Sequence, residues 1–345
     1  MDFEQNNSQT PPTPPIYNVI QNAPAVPKRR GWKIFWGIIT TFSILANIIL
    51  LLLLVGVAAV FATGQRGFLT EDVIQAGPKI TKIAVISVNG IIDDMRSKDV
   101  YEQIKTAKSD SRVKALIIRV NSPGGMVSSS DQIYNEISKY RRETNKPVVA
   151  FMQGIAASGG YYAAVSCDKI IAEPTVITGS IGVIIDHFVL QQLLEQKLGI
   201  QPVIIKSGPK KDWPSPFQMV TDEQKQYLQD KVITPAYERF VQLVAQGRSA
   251  ALTIDDVRRL ADGSIYGAKE ALDEKLIDQI GYLDDAINLV KTLAKLEDAE
   301  VIEYRKPFSL SDILSQASAG SLKITSSTLY EFSTPKVMYL WSGSR

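Results

Sequence analysis

The 345-residue sequence predicts an α/β fold, a mostly parallel sheet with flanking helices, preceded by one transmembrane helix. Three observations carry this. The runs Ile80–Val88, Val113–Val120 and Val148–Met152 are almost unbroken apolar stretches, as strands covered on both faces must be. Stretches of helical period lie between them; in Ser128–Arg142, Ile133, Ile137 and Tyr140 fall on one stripe. From Ile34 to Gln65 there is no charged residue, a run longer than the roughly 20 residues that cross a bilayer.

Taken in order, residues 1–33 read as a disordered tail, rich in Pro, Asn, Gln and Ser and too poor in apolar anchors to offset their ordering entropy. Residues 34–63 read as the membrane anchor. Lys28, Arg29, Arg30 and Lys33 precede it, which places the N-terminus in the cytoplasm and the rest of the chain outside. Both the charged and apolar regions are too long for a cleaved signal peptide. Asn47 is the one strongly polar side chain within the span, a candidate for bonding a neighbouring helix. Residues 64–79 read as a tether, 80–310 as the principal domain and 311–345 as a C-terminal extension, with Ser315–Ser327 a small, polar surface segment.

Within the principal domain, Lys169–Ala172 and Pro202–Lys206 read as further strands, and Val301–Tyr304 as another. Thr221 with Gln224 makes a capping box for a helix kinked before Pro235. Thr253 and Asp256 start the next helix, with Gly263 a left-handed cap. Helices follow around Ala268–Leu272 and Asp284–Leu293.

Composition narrows the chemistry. The 38 Lys and Arg against 36 Asp and Glu give a net charge of +2, spread along the chain, so no nucleic-acid partner is expected. Cys167, read as part of an apolar helix, and His187 are the sole cysteine and histidine. They allow no disulfide framework within the chain and no His/Cys zinc set, and a Ser-His-Asp triad would have to use His187. No phosphate-binding glycine motif is present, and neither a metal nor a cofactor is expected.

Three stretches could carry a reaction. Gly154–Tyr162 puts Ser158 among small residues at a strand-to-helix junction, where a turn is tight and backbone N–H groups face outward. Asn121–Gly125 follows the preceding strand, and its paired glycines can turn backbone amides toward a ligand, as an oxyanion hole requires. In a parallel sheet both turns open on the same edge. Lys206–Asp212 contributes lysines, and a neutral lysine can serve a serine as base. Bringing an ordinary lysine from about 10.4 to near 7 costs roughly 4–5 kcal/mol, so such a site must be apolar and closed. Each stretch also has a plain reading, as a packing turn or an exposed basic loop. Thr178–Gly182 adds Ser180, a hydroxyl that could orient a lysine or belong to a turn.

Together, Asn-Ser-Pro-Gly-Gly at Asn121, Ala-Ala-Ser-Gly-Gly-Tyr-Tyr at Ala156, Thr-Gly-Ser-Ile-Gly-Val at Thr178 and Lys-Ser-Gly-x-x-Lys-Asp at Lys206 resemble the signal peptide peptidase A family, over about Ile80 to Val290. The resemblance implies a crotonase/Clp-protease-like fold and a membrane-anchored serine endopeptidase for hydrophobic peptides such as signal-peptide remnants. It implies Ser158 as nucleophile, Lys211 as general base, the N–H groups of Gly125 and Gly159 as oxyanion hole, and Ser180 as the residue holding the lysine. It further implies a homo-oligomeric ring in which the lysine serves a neighbour's serine. Lys210, beside Lys211, departs from the pattern and blurs the choice of base. The other expectation is a non-catalytic, ring-forming membrane scaffold that holds peptides or partner proteins through the same glycine turns.

Overall fold

A computed structural model describes residues 30–64, 69–306 and 336–341. Residues 1–29 of the expected N-terminal tail and the Ser315–Ser327 segment lie outside the described residues; residues 30–33, also expected in the tail, are the first turn of a helix. The chain divides into two units, residues 1–66 and 67–345.

In the first unit, α1 (Arg30–Gly64) is one continuous helix whose stretch Gly31–Val57 is long and apolar enough to cross a membrane. At 1.5 Å per residue its 27 residues span about 40 Å, more than a bilayer's hydrocarbon core. The side-chain amide of Asn47 donates to the Ser43 carbonyl of the same helix at 2.7 Å.

The second unit runs β1 (Thr70–Gln75), β2 (Lys82–Asn89), α2 (Asp94–Ser109), β3 (Val113–Ser122), β4 (Gly124–Met126), α3 (Val127–Thr144), β5 (Val148–Ala157), α4 (Gly159–Ala164), β6 (Lys169–Ala172), β7 (Ile177–Gly179) and β8 (Ile184–Asp186). It continues with α5 (Asp222–Leu228), α6 (Thr234–Gly247), α7 (Ile254–Leu260), β9 (Ile265–Gly267), α8 (Ala268–Asp273), β10 (Gln279–Ile280), α9 (Leu283–Ala294), β11 (Glu300–Arg305) and β12 (Lys336–Leu340). The large sheet has the order β1-β11-β2-β3-β5-β6-β10, with β7 joined to β5 and β9 to β7, and is parallel except at the β1–β11 and β7–β9 pairs.

The unbroken apolar strands are explained by two cores. Ala84, Ile86 and Val88 of β2, with Leu116, Ile118 and Val120 of β3, face the core shared with α2, α3 and α4. The alternate residues Ile83, Val85, Ala115 and Ile117 face Ala286, Ile287 and Val290 of α9. Period-2 side chains with apolar residues in both phases leave neither face for water.

One strand changes partners, and this places the site. The first half of β5 pairs with β6; the second, Ile155–Ala157, pairs with β7, while its other edge stays on β3 through Ala156 opposite Ser122 after a register shift. At the change, Glu173 accepts from the Gly154 N–H at 2.6 Å and Asn121 accepts from Ile155 at 3.4 Å, so the freed amides keep partners. A second, antiparallel sheet of order β4-β12-β8 lies beside this end.

Several expectations need correction. Residues 70–75 are not tether but an edge strand on β11, tied down by the Glu71 carboxylate, which pairs with the buried Lys82 ammonium. Residues 336–340 are a strand of the domain rather than an extension. Pro202–Lys206 forms no strand; Val203 and Ile205 are 85% and 96% exposed, and the segment pairs with no strand among the described residues. Helix α7 stops at Leu260, and Gly263, left-handed at φ 91°, lies beyond the cap in a turn where Asp262 accepts from Ser264. Cys167 sits in the turn after α4. The capping box of Thr221 and Gln224 forms with both halves, and the kink before Pro235 is a wide π-type turn, Gln229–Ile233, between α5 and α6.

Candidate active site

Ser158 stands alone between β5 and α4, with φ 53° and ψ −116°, a conformation that costs a non-glycine residue energy and persists where its surroundings impose it. Here they do. Its N–H donates to the Gly179 carbonyl at the end of β7 (2.8 Å), and its carbonyl accepts from Tyr162 of α4 (2.8 Å). The residue is buried.

The paired glycines come to the same place. A Cβ on Gly124 would lie 2.7 Å from the Gly159 nitrogen, and a Cβ on Gly159 would lie 3.2 Å from the Gly125 nitrogen. Any side chain here would drive the turns apart, so the close approach depends on glycine at both. Ile92 holds the far side of β4, donating to the Gly124 carbonyl (2.9 Å) and accepting from Met126 (2.8 Å). Ser122 Oγ accepts from the Gly124 N–H at 3.0 Å.

Ser180 directly follows β7, nearly buried, with its own N–H donating to Ser264 at 2.7 Å. The Ser158–Gly179 backbone bond therefore brings it near Ser158, and it lines a cavity of about 440 Å³ with Ile181, Val183, Tyr237, Asp262 and Leu340. Lys211 does not join the cluster. It is exposed in the loop between Lys206 and Trp213, with no hydrogen bond to Ser158 among the described residues. His187 is half-buried, and its Nε2 has no partner among the described residues. Burial pushes the Cys167 thiol up to about 12, leaving it un-ionised at neutral pH and unfit as a nucleophile.

The groove beside Ser158 holds an extended segment, and that segment is the chain's own β12. It lies antiparallel between β4 and β8, with Tyr339 opposite Gly125, Leu340 opposite Gly124 and Val337 opposite Ile185. The Trp341 N–H donates to the Pro123 carbonyl at 2.9 Å. The Tyr339 carbonyl oxygen comes within 2.0 Å of the place a Gly124 Cβ would take, so it sits against the same glycines as the Gly159 nitrogen.

The Tyr339 side chain fills a pocket that sequence reasoning did not find. Its ring stacks on Tyr162 (centroids 4.8 Å apart, planes 25° apart) and leans on Phe240 (4.8 Å), while its hydroxyl donates to the Ala236 carbonyl at 2.8 Å. Below, the Tyr162 hydroxyl and the Arg239 guanidinium both donate to Asp131 Oδ1, at 2.6 Å each. Burial, reinforced by the Asp131 carboxylate, raises the Tyr162 phenol far above its ordinary range, so it stays a donor. A cavity of about 580 Å³ adjoins, lined by Met126, Val127, Val232 and Val337. Tyr162 was visible in its motif, but its partners lie on elements distant in sequence.

Comparison with known proteins points to one family of peptidases. The sequence model of peptidase family S49 matches residues 140–297, and that of Clp protease matches residues 70–175. A protein of Enterococcus faecium described as a candidate signal peptide peptidase SppA is 38% identical over 80% of this chain and 85% of its own length. A candidate protease of Synechocystis sp. is 39% identical over 66% of this chain and 80% of its own. Protease 4 of Salmonella typhi is 33% identical over 70% of this chain but only 39% of itself. The fold is thus of the Clp-protease type, with its mostly parallel sheet and flanking helices.

Proposed function

Since the chain belongs to peptidase family S49 and is a serine peptidase by that membership, we propose that Ser158 attacks a peptide carbonyl, with a neutral Lys211 from a second copy accepting its proton. The N–H groups of Gly125 and Gly159 receive the oxyanion, and Ser180 holds the incoming amine. The C–N bond breaks as the lysine passes that proton to the departing amine; the acyl group left on Ser158 Oγ is then hydrolysed by a water that the now neutral lysine deprotonates, and return of that proton to Oγ restores the serine and frees the new carboxylate. Supporting the shared site, Lys211 is exposed within one chain, and the hollow beside Ser180 and Leu340 has room for a side chain from outside.

One observation carries the reading: an extended segment pairs with β4 so that the Tyr339 carbonyl lies against the glycines flanking Ser158. A peptide substrate adds to β4 and β8 in the same way, with main-chain bonds giving affinity and the Tyr162–Phe240 pocket taking an aromatic or other large apolar side chain. Hydrophobic peptides, signal-peptide remnants among them, fit that pocket. The apolar helix α1 anchors the enzyme in the membrane, the basic residues before it remain in the cytoplasm, and the peptidase domain works on the other side.

The test is covalent. A fluorophosphonate should label Ser158, identified by mass spectrometry of the digested protein, and Ser158→Ala should take no label. A folded, unlabelled wild type would favour the alternative, a scaffold that binds extended segments without cutting them, which strand pairing in the groove also fits.

A further inference from the structure

The sequence offers two adjacent lysines, and the structure treats them differently. Lys210 Nζ lies 4.7 Å from the centre of the Tyr227 ring and 5.0 Å from that of Trp213, with a Glu223 carboxylate oxygen 3.6 Å away. The two rings meet edge to face at 5.7 Å, so they form two walls of one cage. A cation is attracted to both ring faces and to the carboxylate alongside, so the side chain is held in place from three directions. At the ends of the same loop, Lys206 closes on Asp212 at 2.7 Å. Inside it, the Lys211 N–H donates to Gly208 (3.2 Å) and the Trp213 N–H to Lys210 (3.3 Å), which fixes the turn on both sides of Lys211. Lys211 itself is exposed, with no ion pair among the described residues.

We propose that Lys210 is a positioning residue: its caged ammonium pins the Lys206–Trp213 loop to helix α5, and so presents the neighbouring Lys211 amine to Ser158 of a second copy. The inference rests on the Ser158–Lys211 reading and answers what that reading leaves open, why a second lysine stands beside the base. Tyr227 lies on α5, whose start is set by the Thr221–Gln224 capping box, so the loop is referenced to a fixed element rather than to itself. Lys210 needs its charge for this, whereas Lys211 must lose its own. One side chain cannot do both.

The experiment uses the full chain in detergent or lipid, with a fluorogenic hydrophobic peptide, and compares Lys210→Met, Lys210→Arg and Tyr227→Leu, each also combined with Lys211→Ala. Two cation–ring contacts predict that Lys210→Met and Tyr227→Leu each lower kcat by about 5- to 30-fold with KM little changed. Lys210→Arg should recover most of the loss, since a guanidinium keeps the cation over the rings yet cannot accept a proton. Against the residual rate of Lys211→Ala, Lys210→Met should cost nothing more, because it acts only through the residue already removed. Lys210→Met within twofold of wild type overturns the proposal. Lys210→Arg as inactive as Lys210→Met, with Lys211→Ala active, instead makes Lys210 the base and overturns the dyad reading too.

Discussion

Ser158 holds a left-handed backbone that its neighbours enforce, through Gly179 on one side and Tyr162 on the other. Because the constraint lies in main-chain bonds, Ser158→Ala should leave the melting temperature nearly unchanged while lowering peptide hydrolysis by about 10⁴-fold or more. Gly159→Ala should do the opposite in part: its Cβ would meet Ser130 Oγ at 2.5 Å in a fully buried setting, costing about 1–3 kcal/mol of stability, measurable by denaturant unfolding. The turn at Ser158 was legible in the sequence because small residues between an apolar strand and a helix mark a tight strand-to-helix junction. The Asp131–Arg239–Tyr162 cluster was not, since Asp131 and Arg239 are 108 positions apart and no local pattern joins them. The cage around Lys210 escaped because one ring lies just across a turn and the other on the next helix, and no sequence pattern shows that the two meet.

At the scale of elements, the strands with apolar residues in both phases were read correctly because burial on both faces leaves a mark on every residue. Short strands of three residues, such as β4 and β8, leave none, and β12 could be recognised only once its partners were in place. Since β12 fills the groove, ending the chain before Lys336 should raise kcat/KM for a peptide substrate and also lower the melting temperature, because the fully buried Tyr339 ring leaves Tyr162 and Phe240 exposed. An unchanged kcat/KM would mean that β12 does not compete. A second element-scale prediction concerns pH. Burial alone would raise the Asp278 carboxyl, but the Arg248 guanidinium, the Ile170 amide and Lys169 outweigh it and hold the carboxyl below its ordinary range. A carboxyl depressed in the folded state contributes stability above its unfolded value, and that contribution disappears as pH falls through the folded one. Asp278→Asn, which leaves Arg248 facing an uncharged amide, should cost about 3 kcal/mol at pH 7 and flatten the acid limb of stability against pH.

For the molecule as a whole, the exposed apolar residues Phe188, Leu193, Leu198, Val203 and Ile205 occupy the same excursion as Lys211. So much apolar surface beside an exposed catalytic candidate is what a contact between copies would cover. The segment's apolar run, read from sequence as a strand, pairs with no strand among the described residues, and that expectation failed. A ring of identical copies, each lending its lysine to the next, gives both features a use. Mixing tests it most directly. Ser158→Ala and Lys211→Ala chains, each inactive alone, should regain activity when unfolded together and reassembled, with about a quarter of wild-type turnover expected for random neighbours in a ring. Co-assembled particles that remain inactive would contradict the shared site, and with it the account given for every residue around Ser158.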